Sequence, residues 1–397
     1  MRHPVLNLVL GLSLTTSVGI SGLIPILPRV AAHFGLPPAD SWMIIAAYAL
    51  AGLCCVPLSG ILSDRMGRKA LLIPALLLFI MGGTGCAMAA SFNQLLAWRV
   101  VQGMGSASLS ILATSIIADT WQGMERIRAM SLNAFVLGVS TAACPALGGA
   151  LGMLDWRLSF LLPLPALVLV WMAWRLPLLL PVKGASLKAY AAACLDCMLK
   201  RRTLWLLCLT LLTFIMMSGP IITCFPLLAE SIFAASPLEC GLLIASASLS
   251  AGLSAPMLPR LCKTLSCAAI LVMATAAYIA AFVCIGLAPG FAWLVPGLLL
   301  YGLGQGLNLP LVQTLLVGQA KDSERGALMA LNAMLLRAGQ NIGPWGFGSL
   351  AAALGPGTAI LFGCVPALAI LLVSRAIPLP LAGELSATAA EAASPGE

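Results

Sequence analysis

Long apolar runs, separated by short polar breaks, make up most of this chain and limit what it can fold into. Only 9% of the 397 residues are charged, whereas a soluble globular chain carries about 25%. Roughly 20 apolar residues suffice for a helix to cross about 30 Å of hydrocarbon. Because lipid offers no partner for backbone N–H and C=O groups, each run must be helical. The sequence therefore predicts an all-α polytopic membrane protein and excludes a compact soluble domain.

Twelve runs of spanning length can be read between the polar breaks. They lie near 5–28, 41–62, 70–90, 94–118, 128–152, 157–176, 203–228, 239–257, 267–288, 291–317, 326–352 and 357–375. The longest polar stretch divides them into two sets of six. We therefore expect a six-helix bundle at 1–176, a cytoplasmic linker at 177–202, a second six-helix bundle at 203–375 and a disordered cytoplasmic tail at 376–397.

Basic residues fall almost entirely on one side of these runs. Of the 21 lysines and arginines, only Arg29 and Arg157 fall on the outer side, and only Arg99 and Arg337 fall within runs, when the N-terminus is cytoplasmic. This positive-inside bias predicts that both termini are cytoplasmic. It also accounts for the formal charge of +8, so no nucleic-acid partner is indicated.

Two segments half a chain apart align without gaps, at an offset of 199 residues from Glu125 to Glu324. The shared residues include Leu-Asn-Ala at 132–134 and 331–333, and Pro145 with Pro344. Each copy begins at the inner end of a run, the fifth and the eleventh. Because six runs separate the copies, their orientation in the membrane is the same. The two halves are therefore predicted to be related by an axis along the membrane normal.

A charged loop between the second and third runs carries the most specific motif, Gly60-Ile-Leu-Ser-Asp64-Arg65-Met-Gly67-Arg68-Lys69. It resembles the G-x-L-x-D-R-x-G-R-K signature of the major facilitator superfamily, whose two pseudo-symmetric six-helix bundles fit nearly the whole chain. The resemblance implies a latch that stabilises the outward-facing state. Its residues would be Gly60, Asp64, Arg65, Gly67, Arg68 and Asp119. In this latch Asp64 contacts the eleventh span and Arg68 lies near Asp119, whereas the alternative is an ordinary positive-inside loop.

The fourth run contains Arg99-Val-Val-Gln102-Gly103-Met-Gly105. This segment resembles the R-x-x-Q-G-x-G pattern of the twelve-span drug:proton antiporters of the bicyclomycin- and chloramphenicol-resistance type, whose arginine lines the central cavity. An arginine in hydrocarbon costs about 2.5–3.5 kcal/mol on insertion scales, so it needs a cavity or a partner. The alternative for Arg99 is snorkelling toward the outer surface.

The fifth run carries Ser140-x-x-x-Cys144-Pro145-x-x-Gly148-Gly149. It resembles the antiporter signature G-x-x-x-G-P-x-x-G-G, with Ser140 and Cys144 in place of two glycines. Small residues allow close helix contact and proline frees a backbone carbonyl, so we expect a functional bend here. Pro344 repeats the proline in the second half. A purely structural kink is the alternative.

Arg337 lies near the middle of the eleventh run, where its repeat partner is Gly138, and Asn341 follows one helical turn later. Together they are predicted to contact an anionic or hydrogen-bonding group of a substrate, and a buried interhelical pair is the alternative. The resemblance places further pathway residues on the fourth and tenth runs. They are Gln102, Tyr301, Gln305 and Asn308, each of which could also be a helix-packing side chain.

The 13 acidic residues all fall in loops or at the ends of runs. Related drug:proton antiporters carry an acid shortly before the Pro25-Ile-Leu-Pro28 segment, where this chain has Ser21-Gly22-Leu23. Proton coupling is therefore implied by the resemblance alone. A cavity with two arginines and no acid should disfavour cationic drugs. Cys194-x-x-Cys197 has the spacing of a zinc or redox site, but no second cysteine pair or histidine cluster lies nearby, so we expect no metal. The sequence shows no catalytic motif and no nucleotide-binding loop, so we expect neither a cofactor nor enzymatic activity.

These observations predict a secondary active transporter of the bacterial inner membrane that works by alternating access of two bundles. The expected partners are the lipid bilayer, a small-molecule substrate and protons, and the chain is expected to be a monomer. The expected activity is efflux of small amphipathic compounds or drugs, as in multidrug-resistance antiporters. The alternative is a transporter of a specific organic anion or metabolite that is proton-independent or imports.

Overall fold

The computed structural model describes residues 2–176, 200–318 and 325–376. All regular elements in these ranges are helical, and they form twelve spans in chain order. The predicted linker, apart from residues 200–202, and the predicted tail from residue 377 onward lie outside the described residues.

Six spans precede the linker, and we call them the amino-terminal bundle. The first span is Arg2–Ser21 continued by Ile24–Ile26 and Leu27–His33; the second is Trp42–Met66, the third Arg68–Ala87, the fourth Phe92–Thr120 and the fifth Gly123–Leu154; the sixth is Trp156–Phe160 continued by Leu164–Ala166 and Leu167–Arg175. A short helical turn, Pro38–Ser41, joins the first two spans.

Six spans follow the linker and form the carboxy-terminal bundle. The seventh span is Arg201–Met216, a π-helical segment Met217–Cys224 and Phe225–Phe233; the eighth is Pro237–Ser254 continued by Ala255–Met257 and Leu258–Thr264; the ninth is Cys267–Gly286; the tenth is Phe291–Trp293 with Leu294–Val317; the eleventh is Arg325–Leu354; the twelfth is Pro356–Leu361 with Cys364–Ala376.

Ten of these spans are, within the described residues, long and apolar enough to cross a membrane by length and composition. The second and eleventh spans are 25 and 30 residues long and pack against each other. The eleventh carries Arg337 and several amide side chains, which lower its hydropathy without shortening the helix. The predicted all-α polytopic fold is confirmed.

Local sequence explains where several spans begin. Ser91, Ser236 and Ser266 each cap the span that follows by accepting a hydrogen bond from a backbone N–H, and Ser236 forms a capping box with Glu239. Gly67 separates the second span from the third with a φ of 94°, a backbone conformation that glycine adopts without strain. The positive φ therefore explains why glycine occupies position 67 of the signature loop.

The offset of 199 residues recurs in how the spans pack within each bundle. Four glycines of the fourth and tenth spans lie so close to a neighbouring span that a Cβ atom would collide with it. The contacts are Gly103 on Tyr48, Gly302 on Ala247, Gly105 on Phe79 and Gly304 on Tyr278. Each contact in one bundle maps onto one in the other by the same offset, so the duplication governs the packing as well as the sequence.

Candidate substrate pathway

The two bundles meet along two seams, and the first lies between the fifth and eighth spans. Gly149 packs against the backbone carbonyl of Pro237, and Gly241 packs against that of Pro145. A side chain at either glycine would overlap the carbonyl oxygen it faces. Glycine therefore allows the two backbones to touch, and the seam is sealed over this stretch.

The same two helices separate further along. Gly138 lies seven residues before Pro145 and Gly252 lies eleven residues after Gly241, so each occupies the helix face that forms the seam. Nothing lies within 4 Å of a Cβ built at Gly138 or at Gly252. The fifth and eighth spans therefore leave open space at these two positions, toward the end of the molecule that carries the loop at Gly67, and we interpret this space as a vestibule between the bundles.

The second seam joins the second and eleventh spans. At its sealed end Gly348 packs against the ring of Trp42. Midway along, Gly52 faces Arg337, and a Cβ at Gly52 would lie 3.4 Å from Arg337 Nε. Arg337 is partly exposed, and its Nη1 donates a hydrogen bond to Gln340 Oε1 at 3.2 Å. Among the described residues no carboxylate forms an ion pair with Arg337.

The two seams differ at this level. The offset of 199 relates Arg337 to Gly138 and Gly52 to Ala251, which precedes Gly252. In the seam between the second and eleventh spans, the Arg337 guanidinium packs against Gly52. In the seam between the fifth and eighth spans, open space lies beside Gly138. Asn341 is partly exposed on the same helix and donates its Nδ2 hydrogen bond to the Arg337 carbonyl at 2.8 Å. A positive charge and an amide therefore lie on one wall of the vestibule.

Arg99 is fully buried in this conformation. The side chain is 0% exposed and sits inside the amino-terminal bundle rather than at the surface of the vestibule or the outer boundary. Its Nε donates to the Ile44 carbonyl at 3.0 Å, and its Nη1 donates to the Gly19 carbonyl at 2.9 Å and to Gln102 Oε1 at 2.6 Å. The guanidinium also stacks 4.4 Å from the ring of Tyr48.

This burial has a physical reason. A guanidinium presents five N–H donors, and hydrocarbon offers it no acceptor, so it takes backbone carbonyls from the neighbouring spans. Arg99 consequently ties the fourth span to the first and second, and Gln102 is buried with it. In this conformation Arg99 and Gln102 are buried packing residues. Their part in transport stays a prediction.

The three predicted pathway residues of the tenth span differ in exposure. Tyr301 and Asn308 are buried, and Asn308 Nδ2 donates to Thr213 Oγ1 of the seventh span at 2.8 Å. Gln305 is partly exposed, with its Nε2 3.3 Å from Met217 Sδ. Of these three residues, Gln305 alone reaches the accessible surface in this conformation.

One contact of the predicted latch is present. Arg68 Nε donates to Asp119 Oδ2 at 2.8 Å and joins the third span to the end of the fourth, as the sequence predicts. Gly60, Asp64 and Arg65 lie in the last turns of the second span, and their side chains are outside the described part of the structure. The contact of Asp64 with the eleventh span and the function of the latch remain predictions.

The residues of the predicted bend lie in continuous helices. Pro145 is inside Gly123–Leu154 and Pro344 is inside Arg325–Leu354. Gly148 packs against the backbone of Gly22 in the first span, while Gly149 faces the eighth span. The small residues of this motif therefore allow one helix to touch its own bundle and the other bundle at once. A functional bend at the prolines stays a prediction.

Sequence reasoning missed the glycines that face these residues across the seams. Gly52, Gly241 and Gly252 are single glycines in apolar runs, where nothing distinguishes an interface from ordinary packing. A signal existed for Gly52, because an antiparallel pairing of the second and eleventh spans brings it opposite Arg337.

Comparison with known proteins identifies the family pattern. A sequence model of the Major Facilitator Superfamily matches residues 9–344 and 225–395. The chain is 32% identical over 158 residues to the bacillibactin exporter of Bacillus subtilis (strain 168), covering 37% of this chain and 38% of that protein. It is 28% identical over 165 residues to Multidrug resistance protein 3 of the same organism, covering 41% and 32%. The matched part thus spans less than two fifths of the length of each relative.

Solved structures share the architecture over nearly the full length. The human organic anion transporter MFSD10 (TETRAN) superposes with a TM-score of 0.69 at 20% identity, covering 94% of this chain and 99% of that one. A D-xylose-proton symporter gives a TM-score of 0.72 at 19% identity, covering 94% and 97%. At these identities the similarity concerns the fold.

Proposed function

The chain belongs to the Major Facilitator Superfamily, and from this premise we propose that it is a secondary active transporter that exports small amphipathic compounds, including drugs. The observation that carries the proposal is the contrast along the fifth–eighth seam. Backbones touch at Gly149 and Gly241, whereas open space lies beside Gly138 and Gly252. Two bundles that touch at one end and are separated at the other have the geometry of one of the two states that alternating access requires.

Location and direction follow from the charges and from the names of similar proteins. If the basic loops face the cytoplasm, as positive-inside bias requires, the vestibule opens to the cytoplasm and both termini are cytoplasmic. Similar proteins include a bacillibactin exporter and a multidrug resistance protein. We therefore place the protein in the bacterial inner membrane, as a monomer, loading substrate from the cytoplasm or inner leaflet. Export would be coupled to proton entry, so the proton gradient would supply the energy.

A second candidate, transport of organic anions, is favoured by Arg337. The guanidinium is partly exposed in the inter-bundle seam, and among the described residues no carboxylate neutralises it. In a low-dielectric vestibule such a charge attracts anions and repels cations. Amphipathic compounds with a carboxylate or another single negative charge therefore fit this wall better than cationic drugs do.

Uptake by everted membrane vesicles tests the function. Vesicles containing the wild-type protein should accumulate a labelled amphipathic monocarboxylate when a pH gradient is imposed, and should accumulate a quaternary ammonium compound of similar size poorly. Arg337→Gln should lower carboxylate uptake about tenfold or more, because a hydrogen bond to a charged group contributes about 1.5–3 kcal/mol.

Arg157→Gln provides the matched control, because Arg157 is a surface arginine outside the seams. It should transport like the wild type. Absence of carrier-dependent uptake for compounds of every charge would refute the transporter proposal. Transport that is normal in Arg337→Gln would leave the transporter proposal in place and remove the anion assignment.

A further inference from the structure

The carboxy-terminal bundle contains a buried polar cluster that its amino-terminal counterpart lacks. Thr275 and Tyr278 of the ninth span and Asn308 of the tenth are each no more than 2% exposed. The offset of 199 maps them onto three apolar residues that are each 0% exposed, Leu76, Phe79 and Leu109. Equivalent packing positions are therefore polar in one bundle and apolar in the other.

The three polar side chains are buried where the ninth and tenth spans pack against each other. Thr275 and Tyr278 lie three residues apart, so they share a face of the ninth span. Gly304, one turn before Asn308 on the tenth span, packs against the ring of Tyr278, where a Cβ would lie 3.0 Å from Cδ1. The Asn308 side chain lies beside the Tyr278 hydroxyl, but the two make no hydrogen bond of normal geometry.

Each member of the cluster has a polar atom without a partner. These atoms are Thr275 Oγ1, Tyr278 Oη and Asn308 Oδ1, all shielded from solvent. Buried polar groups in folded proteins are nearly always hydrogen-bonded, because an unsatisfied group keeps its full desolvation cost. Three such atoms in the interface of two neighbouring spans indicate a small polar partner between the helices.

We propose that Thr275, Tyr278 and Asn308 bind an internal water molecule in the carboxy-terminal bundle. A buried water makes about three hydrogen bonds to otherwise unsatisfied groups, which matches the number of unpartnered atoms here. Two hydroxyls can donate or accept and Asn308 Oδ1 accepts, so the donors and acceptors balance. The groups are all neutral and the described residues hold no cluster of metal-binding side chains, so an uncharged ligand fits better than a cation.

The water would extend a polar path through the bundle. Asn308 donates to Thr213 of the seventh span, and Met217, one turn further, contacts Gln305 at the vestibule. The π-helical segment of the seventh span begins at Met217. The carboxy-terminal bundle would thus be hydrated beside its irregular helix, at positions where the amino-terminal bundle has apolar side chains, independently of which substrate is moved.

Radiolytic hydroxyl-radical footprinting of the full-length protein in lipid tests the site, because X-rays generate radicals from bound waters in place. The label at each residue is divided by its label in the denatured protein. Tyr278 should then be labelled well above Phe79, its equivalent in the other bundle. Protection of Tyr278 equal to that of Phe79 would overturn the proposal.

Two variants assign the ligands. Asn308→Leu, which copies the amino-terminal residue, should remove the label from Tyr278. Thr275→Val, which keeps the shape of the side chain, should reduce it and serves if Asn308→Leu does not fold. Unchanged label in the folded variants would contradict the assignment. A melting temperature of the wild type that rises with Na⁺ but not with choline, and no longer does so in Thr275→Val, would identify a cation site and overturn the assignment to water.

Discussion

Arg99 and Arg337 are both arginines inside membrane spans, yet their surroundings differ completely. Arg99 is enclosed by backbone carbonyls of the first and second spans, the amide of Gln102 and the ring of Tyr48. Arg337 is partly exposed between the bundles and has one side-chain hydrogen bond, to Gln340. The guanidinium of Arg99 is therefore occupied by contacts within its bundle, whereas that of Arg337 is partly accessible between the bundles.

The buried contacts of Arg99 should contribute to the stability of the amino-terminal bundle. Arg99→Ala should lower the free energy of unfolding by about 2 kcal/mol, since it removes three hydrogen bonds and the largest fully buried side chain. Thermal unfolding in detergent measures this effect. Arg157→Ala, at a surface arginine that stacks on Trp156, should cost less than about 1 kcal/mol. Altered substrate selectivity with unchanged stability in Arg99→Ala would show instead that Arg99 lines the pathway.

The sequence predicts that Arg99 needs a partner but not which one. Carbonyl acceptors such as those of Gly19 and Ile44 belong to every residue and leave no trace in the residue type. Helical periodicity does not show which face of a span is buried, because an apolar span has no polar face that distinguishes the bundle interior from the vestibule. Burial of Asn308 and exposure of Gln305, three residues apart, depend on packing that only the structure supplies.

The spans themselves are predictable from the sequence because hydrocarbon thickness fixes their length. All twelve runs correspond to observed spans, and the main errors are at the ends. The first span continues to His33, beyond the predicted limit at residue 28, because its two prolines lie at the starts of short helical segments and do not end it. The fourth extends two residues beyond its predicted limits on both sides.

A bulky side chain in the seam between the fifth and eighth spans should prevent the two bundles from closing there. Gly149→Leu should abolish transport, because its side chain would meet the Pro237 carbonyl and hold the sealed end apart. Two native cysteines that are buried beside this seam, Cys144 and Cys240, should become reactive toward a maleimide. Mass spectrometry of the labelled protein measures the change.

Two controls belong to this prediction. Gly346→Leu should transport normally, since nothing lies within 4 Å of a Cβ at Gly346. Cys86, buried inside the amino-terminal bundle, should stay unreactive in both variants. If Gly149→Leu transports like the wild type, the glycine contact is not part of the moving interface.

Across the whole molecule, duplication explains the architecture, and our functional proposals rest on the local differences between the two halves. The offset of 199 relates glycine contacts of the fourth and tenth spans to one another. The same offset sets Arg337 against Gly138 and the Thr275–Tyr278–Asn308 cluster against apolar residues. The sequence predicts the repeat, because both copies keep their packing residues. It does not predict which end is open, since one sequence must support both states of a cycle.

Alternating access requires the two ends of the molecule to open in turn, and distances between spin labels in lipid measure this. One pair replaces Gly138 and Gly252 at the open end, and another replaces the exposed Leu154 and Leu242 near the sealed end, in a transport-competent variant without the 13 native cysteines. Under an imposed pH gradient with substrate, the first distance should shorten while the second lengthens. Two distances that stay fixed, or that change in the same direction, during verified transport would exclude alternating access of the two bundles.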